Sequence, residues 1–126
     1  MLTADHFQLL SRFYQLLDSI EEGFYYIVSS FENINFTERD QVLADVLLAI
    51  YEIDSTRPFL LAVLSDDSEA VLELKRMDFV IDQLEKIDLE SVMPLQFQSF
   101  MKYELLPSFL KWKKRIQEKL KTYVTH

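Results

Sequence analysis

The chain of 126 residues contains no cysteine, a single glycine, three prolines and two histidines. Without cysteine there can be no disulfide, no thiolate metal site and no cysteine nucleophile, and the composition suits a reducing compartment. One glycine cannot supply the tight turns that many short strands need, nor a glycine-rich phosphate loop. The histidines, His6 near the start and His126 at the end, leave nothing from which to build a Ser-His-Asp relay or a ferritin-type di-metal site. Also missing is any window approaching the ~20 continuous apolar residues of a membrane-spanning helix. The apolar run from Phe59 to Leu64 would cover only about 9 Å at the helical rise. The opening "MLTADHFQLL" has no basic leader followed by an apolar core, so no secretory signal is expected and a cytoplasmic location is.

What is abundant is helix-forming material with a helical period, which implies an all-α protein of one domain. Leu10, Phe13, Leu17, Ile20, Phe24, Ile27, Phe31 and Ile34 recur at alternating spacings of three and four, placing them on one stripe of a helix. That helix is expected to run from a cap at Thr3 or Asp5 to the region 33–35, with Gly23 tolerated inside it for close packing. A second helix is expected from Thr37, with Asp40 at the reciprocal position of a capping box. Its stripe reads Leu43, Val46 or Leu47, Ile50 and Ile53, and continues in phase through position 57 to Leu60 and Leu64. Phase continuity across Pro58 favours one kinked helix to about residue 64. The aversion of the residue before proline to α geometry favours the alternative, two short helices.

The third helix is expected after a cap at Ser65, Asp66 or Asp67, with Val71, Leu74, Met77, Ile81, Leu84 and Ile87 or their neighbours facing inward. The fourth begins between Ser91 and Pro94 and reaches about Val124. It carries Phe97, Met101, Leu105, Phe109, Trp112, Ile116, Leu120 and Tyr123, and Pro107 is expected to kink it. Four such helices with short connections predict an antiparallel up-down four-helix bundle with proline kinks in helices 2 and 4, which lie diagonally.

The net charge of −8 argues against general nucleic-acid binding. Residues 102–126 nevertheless hold seven basic side chains against Glu104 and Glu118. This basic last helix, with Lys113 and Lys114 at its centre, either lies solvated beside acidic neighbours or docks on an acidic surface. Carboxylate-only chemistry with Mg²⁺ or Mn²⁺, as in helical nucleotide pyrophosphatases, is the surviving enzymatic alternative. Its candidate pairs are Asp18 with Glu21 and Asp82 with Glu85, which fall toward the outside of their helices. No cofactor or metal is expected.

Three features suggest a binding surface. Arg57 occupies the core stripe where an aliphatic residue belongs, either to hold an anionic ligand or to pair with Asp54 while its stem covers apolar surface. Tyr25 and Tyr26 fall on the outer face of helix 1, and Phe59 on that of helix 2. Ten phenylalanines and six tyrosines exceed the needs of a slender core, which implies dimerisation or capture of an amphipathic partner helix.

The segments "LLDSIEEGFYYI" and "YELLPSFLKWKKRIQEKLKTYV" resemble a group of small uncharacterised helical proteins of Firmicutes. The shared element is Leu105, Leu106, Pro107, Ser108 and Phe109 followed by Trp112 in a basic helix. In architecture alone the chain is similar to flagellar export chaperones. The resemblance implies a helical bundle without known catalysis and carries over no binding residues; the surface and charge features give Tyr25, Tyr26, Arg57, Phe59, Lys113 and Lys114 as the expected partner contacts of an adaptor, chaperone or small regulatory subunit.

Overall fold

The computed structural model describes residues 2–85 and 94–124. Its elements are α1 (Ala4–Ser30), α2 (Arg39–Val63), α3 (Ser68–Glu85), α4 (Pro94–Phe100), a π-helical turn (Met101–Leu105) and α5 (Leu106–Val124). The last three form one uninterrupted fourth helix. No strand occurs among the described residues, and the fold is all-α with four helices.

Helix α1 starts at Thr3, whose hydroxyl accepts from the His6 amide while His6 Nδ1 accepts from the Thr3 amide, at 3.2 and 3.1 Å. His6 thus takes the place that glutamate usually holds in a capping box. Leu10, Phe13, Leu17, Ile20, Phe24 and Ile27 are buried as their spacing predicts. The helix ends at Ser30, however, before the expected 33–35. Asn33 Oδ1 accepts from the Asn35 amide, a local turn that competes with another helical turn. Ile34 is consequently 93% exposed, not a core residue.

The start of α2 also differs from expectation, because no side-chain cap forms at Thr37 with Asp40. The two helices cap one another instead. Tyr26 Oη accepts from the Glu38 amide at 3.0 Å. In return Arg39 Nε donates to Ser30 Oγ and Nη2 to the Ser30 carbonyl, at 2.6 and 3.1 Å, with its guanidinium 3.8 Å over the Phe31 ring. A cation at the C-terminal end of α1 satisfies the carbonyls that the helix leaves open.

Helix α2 remains helical through Pro58, so the single-helix reading holds over two short ones. Leu43, Val46, Ile50, Ile53, Leu60 and Leu64 are buried, and Leu47 is half-buried. Asp67 is the residue that caps α3, its Oδ1 accepting from the Ala70 amide at 3.1 Å. Inside α3 the buried positions are Ala70, Glu73, Leu74, Met77 and Val80; Val71, Ile81 and Leu84 are only partly covered. The expectations placed on Ile87 and on a start of the fourth helix at Ser91 lie outside the described residues.

In the fourth helix the π turn immediately precedes Pro107. The Leu106 amide donates to the Met101 carbonyl, five residues back, which is the bonding of a π-helix. Proline has no amide to donate and its ring crowds the preceding turn, so the helix widens beside it.

Among the described residues α1 packs on α2 and α5, while α3 packs on α5 and more lightly on α2. The helices therefore close a ring in which α5 lies between α1 and α3. The aromatic centre of the core is Phe24 edge-on to Phe109 at 5.2 Å, with Trp112 beside Phe109. The contact of α1 with α2 is closest at Gly23, where an added Cβ would collide with Val46 Cγ2.

Candidate interaction surfaces

The sequence-predicted site residues do not assemble into one site. Tyr25 is half exposed on the α5 flank of α1, one turn beyond Glu21 and two beyond Asp18. Its neighbour Tyr26 turns to the other flank, where its hydroxyl caps α2 and its ring meets Phe36 edge-on at 4.9 Å. A 100° step per residue separates adjacent side chains in this way.

Arg57 keeps only 17% of its side chain exposed. It binds Asp54 at 2.9 Å, Asp78 of α3 at 2.7 Å and the Leu74 carbonyl at 3.3 Å. Its guanidinium therefore joins α2 to α3 and already has two carboxylates as counter-ions. Lys113 is buried where α5 meets α1, with Nζ 2.9 Å from Asp18 and 3.2 Å from Glu21. Burial alone would lower the ammonium's pKa, but the hydrogen bonds and charges of Asp18 and Glu21 outweigh it and hold the pKa above the ordinary lysine value. Asp18 behaves reciprocally: burial opposes its ionisation, yet Lys113 and Gln117 together keep its carboxyl below the usual range. The Asp18 and Glu21 pair considered for a metal thus already surrounds a cation of the protein's own. Lys114, in contrast, is exposed on the outer side of α5.

Two surfaces emerge that sequence reading found only in part. The first is the outer face of α2. Phe59 is 67% exposed, and with it stand Leu48 at 70% and Tyr51 at 76%. Positions 48, 51, 55 and 59 share one stripe opposite the core stripe. From Leu48 to Ser65 the most exposed positions are Leu48, Tyr51, Ser55, Pro58, Phe59, Ala62 and Ser65, none of them charged, and the charge at their edge is Glu52, paired with Arg12 of α1 at 3.0 Å. The signal in the sequence is a helix apolar on both faces, of which Phe59 alone is legible without Leu48 and Tyr51 beside it.

The second surface is a groove between α3 and α5. Glu73 lies beneath it with its side chain only 6% exposed, its Oε1 2.6 Å from Arg76 Nη1 and its Oε2 3.2 Å from Arg115 Nε. The Glu73 carbonyl accepts from Trp112 Nε1 at 2.7 Å. One residue thus fixes two guanidinia and the indole. The spacing of Glu73 and Arg76 is legible as a helical pair, but its link to Arg115 spans 42 residues and needs the fold.

Beyond the groove, Asp67 Oδ2 accepts from Tyr123 Oη at 2.7 Å, tying the end of α5 to the cap of α3. That hydrogen bond, aided by burial, pushes the Tyr123 phenol up to about 12. Tyr123 and two helical amides hold the Asp67 carboxyl below its ordinary value, against a smaller opposing effect of burial. No helix among the described residues is long and apolar enough to cross a membrane.

Comparison with known proteins adds the lineage. The family described as "Domain of unknown function (DUF8042)" matches residues 8–115. An uncharacterised protein of Bacillus subtilis (strain 168), YvzG, is 28% identical over 124 residues, covering 98% of each chain. This similarity agrees with the resemblance read from the segments around Gly23 and Pro107. No solved structure matches the chain.

Proposed function

We propose that this chain, which belongs to the DUF8042 family, is a non-enzymatic protein-interaction module that works as a dimer through the outer face of α2. The observation that carries the reading is the uncharged exposed stripe from Leu48 to Ser65. In a chain that is 27% charged with a net charge of −8, the face of a solvated helix is expected to carry charges. Exposed aromatic and aliphatic side chains grouped without charge have instead the composition of an interface core.

A second copy is the occupant this face suits best. Two copies related by a two-fold axis present the same stripe to each other. Because the exposed stripe carries no charge of its own and Glu52 beside it is neutralised by Arg12, the acidic chains meet there without unpaired like charges in contact. Leu48 and Phe59 flank a centre at Tyr51 and Ser55, so an antiparallel pairing sets Leu48 of one copy against Phe59 of the other. The non-enzymatic part of the reading is supported by the employment of its reactive groups: His6 completes a helix cap, and Lys113 sits between Asp18 and Glu21.

Light scattering over a concentration series tests the proposal. The wild type is expected to approach twice the 15.0 kDa chain mass at high concentration, and Tyr51→Glu with Phe59→Glu to remain monomeric with unchanged helicity. A wild type that stays monomeric up to the millimolar range, or a dimer that survives both substitutions, overturns it.

A further inference from the structure

The geometry points to the groove between α3 and α5 as a docking site for an acidic peptide segment that carries an apolar side chain. The groove has a volume of about 610 Å³. Four cations line it: Lys75 and Arg76 from α3, Lys111 and Arg115 from α5. The facing acids are Asp78 and Asp82, and Asp78 is already bound to Arg57 at 2.7 Å. With Glu73 beneath them, the four cations face three carboxylates, one of which is bound to Arg57, so in a protein of net charge −8 the groove keeps a positive excess that favours an anionic occupant.

The guanidinia are also positioned. Glu73 takes one contact from each arginine, at Nη1 of Arg76 and Nε of Arg115. Each side chain remains about half exposed, at 49% and 46%, and most of the five N–H donors of each arginine are left to face a ligand. A buried carboxylate is costly to desolvate; here it holds two forks in a fixed relation suited to carboxylates. Lys75 and Lys111 extend the charge along the rims.

An apolar contact separates a peptide from a small anion. Phe79 is 60% exposed in the groove, with Trp112 forming the floor beneath it. A free phosphate would satisfy the arginines and leave Phe79 in water. A polyphosphate backbone would meet Asp82 on the rim and gain nothing from the ring. A peptide with carboxylates on one side and a leucine or phenylalanine between them uses both. This groove lies away from the outer face of α2, so the proposal does not rest on dimerisation and the two can fail separately.

Trp112 is the chain's one tryptophan and reports on the groove directly. The probe is a synthetic twelve-residue peptide of glutamate and leucine with one central phenylalanine, compared with its glutamine counterpart and with inorganic phosphate and ATP. Fluorescence anisotropy of the labelled peptide, together with Trp112 emission on adding unlabelled peptide, is measured at low salt. Saturable binding is expected, at least tenfold weaker for the glutamine counterpart, tenfold weaker for Lys111→Glu and several-fold weaker for Phe79→Ser. Lys114→Glu, an equal charge change outside the groove, is expected to alter affinity less than twofold. Helicity of the variants checks their folding. No binding at millimolar peptide, equal loss with Lys114→Glu, or ATP and phosphate binding as tightly as the peptide with no effect of Phe79→Ser, would each overturn the proposal.

Discussion

Replacing Gly23 by alanine sets two effects of similar size against each other. Alanine is favoured over glycine inside a helix by about 1 kcal/mol, so an exposed site would be stabilised. At Gly23 the new methyl group lands on Val46 Cγ2. Val46 is buried, and valine in a helix has essentially one side-chain rotamer, so it cannot swing aside. The α1 and α2 backbones must part instead, and overpacking of this kind costs about 1–3 kcal/mol. The net expectation is a destabilisation of about 1 kcal/mol, or roughly 4 °C in melting temperature for a domain of this size. In a Val46→Ala background the colliding methyl is absent and the same Gly23→Ala change should stabilise by about 1 kcal/mol. The sign reversal corresponds to a coupling of about 2 kcal/mol between neighbours. Urea unfolding followed by circular dichroism measures all four proteins. If Gly23→Ala stabilises the wild type, or has the same effect in both backgrounds, the close-packing account of Gly23 is wrong.

Tyr123→Phe should alter how stability depends on alkaline pH. The folded phenol titrates near 12 instead of the ordinary 10.0, so its contribution is complete below pH 10 and is lost as the pH climbs from 10 toward 12. Wild type should therefore lose its advantage over Tyr123→Phe across that interval, as read by chemical unfolding at each pH. On the acid side the lowered Asp67 pKa implies a contribution present above about pH 4 that disappears as pH falls below the ordinary carboxyl value of 3.8. Lys113→Met keeps the apolar stem but leaves Asp18 and Glu21 facing each other one turn apart; a loss of about 1 kcal/mol is expected after allowing for screening by water. In that variant the Asp18 carboxyl should titrate higher, which carbon-detected NMR would register. Pro58→Ala restores an amide that can bond the Asp54 carbonyl four residues back and should stabilise α2 by about 1–3 kcal/mol; a lower melting temperature would show that Pro58 is required for the packing around it.

The inner stripes of the helices were legible because burial repeats with the helical period. Six of the eight positions read on α1 are buried, and the in-phase stripe across Pro58 correctly joins α2 into one helix. Ile34 fails for a local reason: spacing continued after the Asn33 turn had ended the helix. The cap of α2 fails for a tertiary one, since Tyr26 and Arg39 satisfy the helix ends in place of Thr37 and Asp40. Charge separation along the chain disclosed the basic last helix, yet could not divide its lysines by destination. Lys113 goes inward to Asp18 and Glu21 while Lys111 lines the groove, and that difference rests on 200° of helical rotation. Nothing in the sequence around Glu73 marks it beyond its helical spacing from Arg76; only the approach of α5 makes it the residue on which two arginines and a tryptophan depend.

The π turn ahead of Pro107 alters how this chain can change in length. Phe97 and Phe109 are both buried although twelve residues separate them, a spacing that in an α-helix would set them about 120° apart. The wider turn absorbs the extra residue. Deleting one exposed residue there, such as Tyr103, would return the helix to ordinary bonding and leave the two phenylalanines about 20° apart, still on one side. A deletion anywhere else in the helix would rotate everything beyond it by about 100° and turn the stripe away from its partners. Residues 101–105 are therefore the place in this helix where one residue can be lost without refolding the bundle.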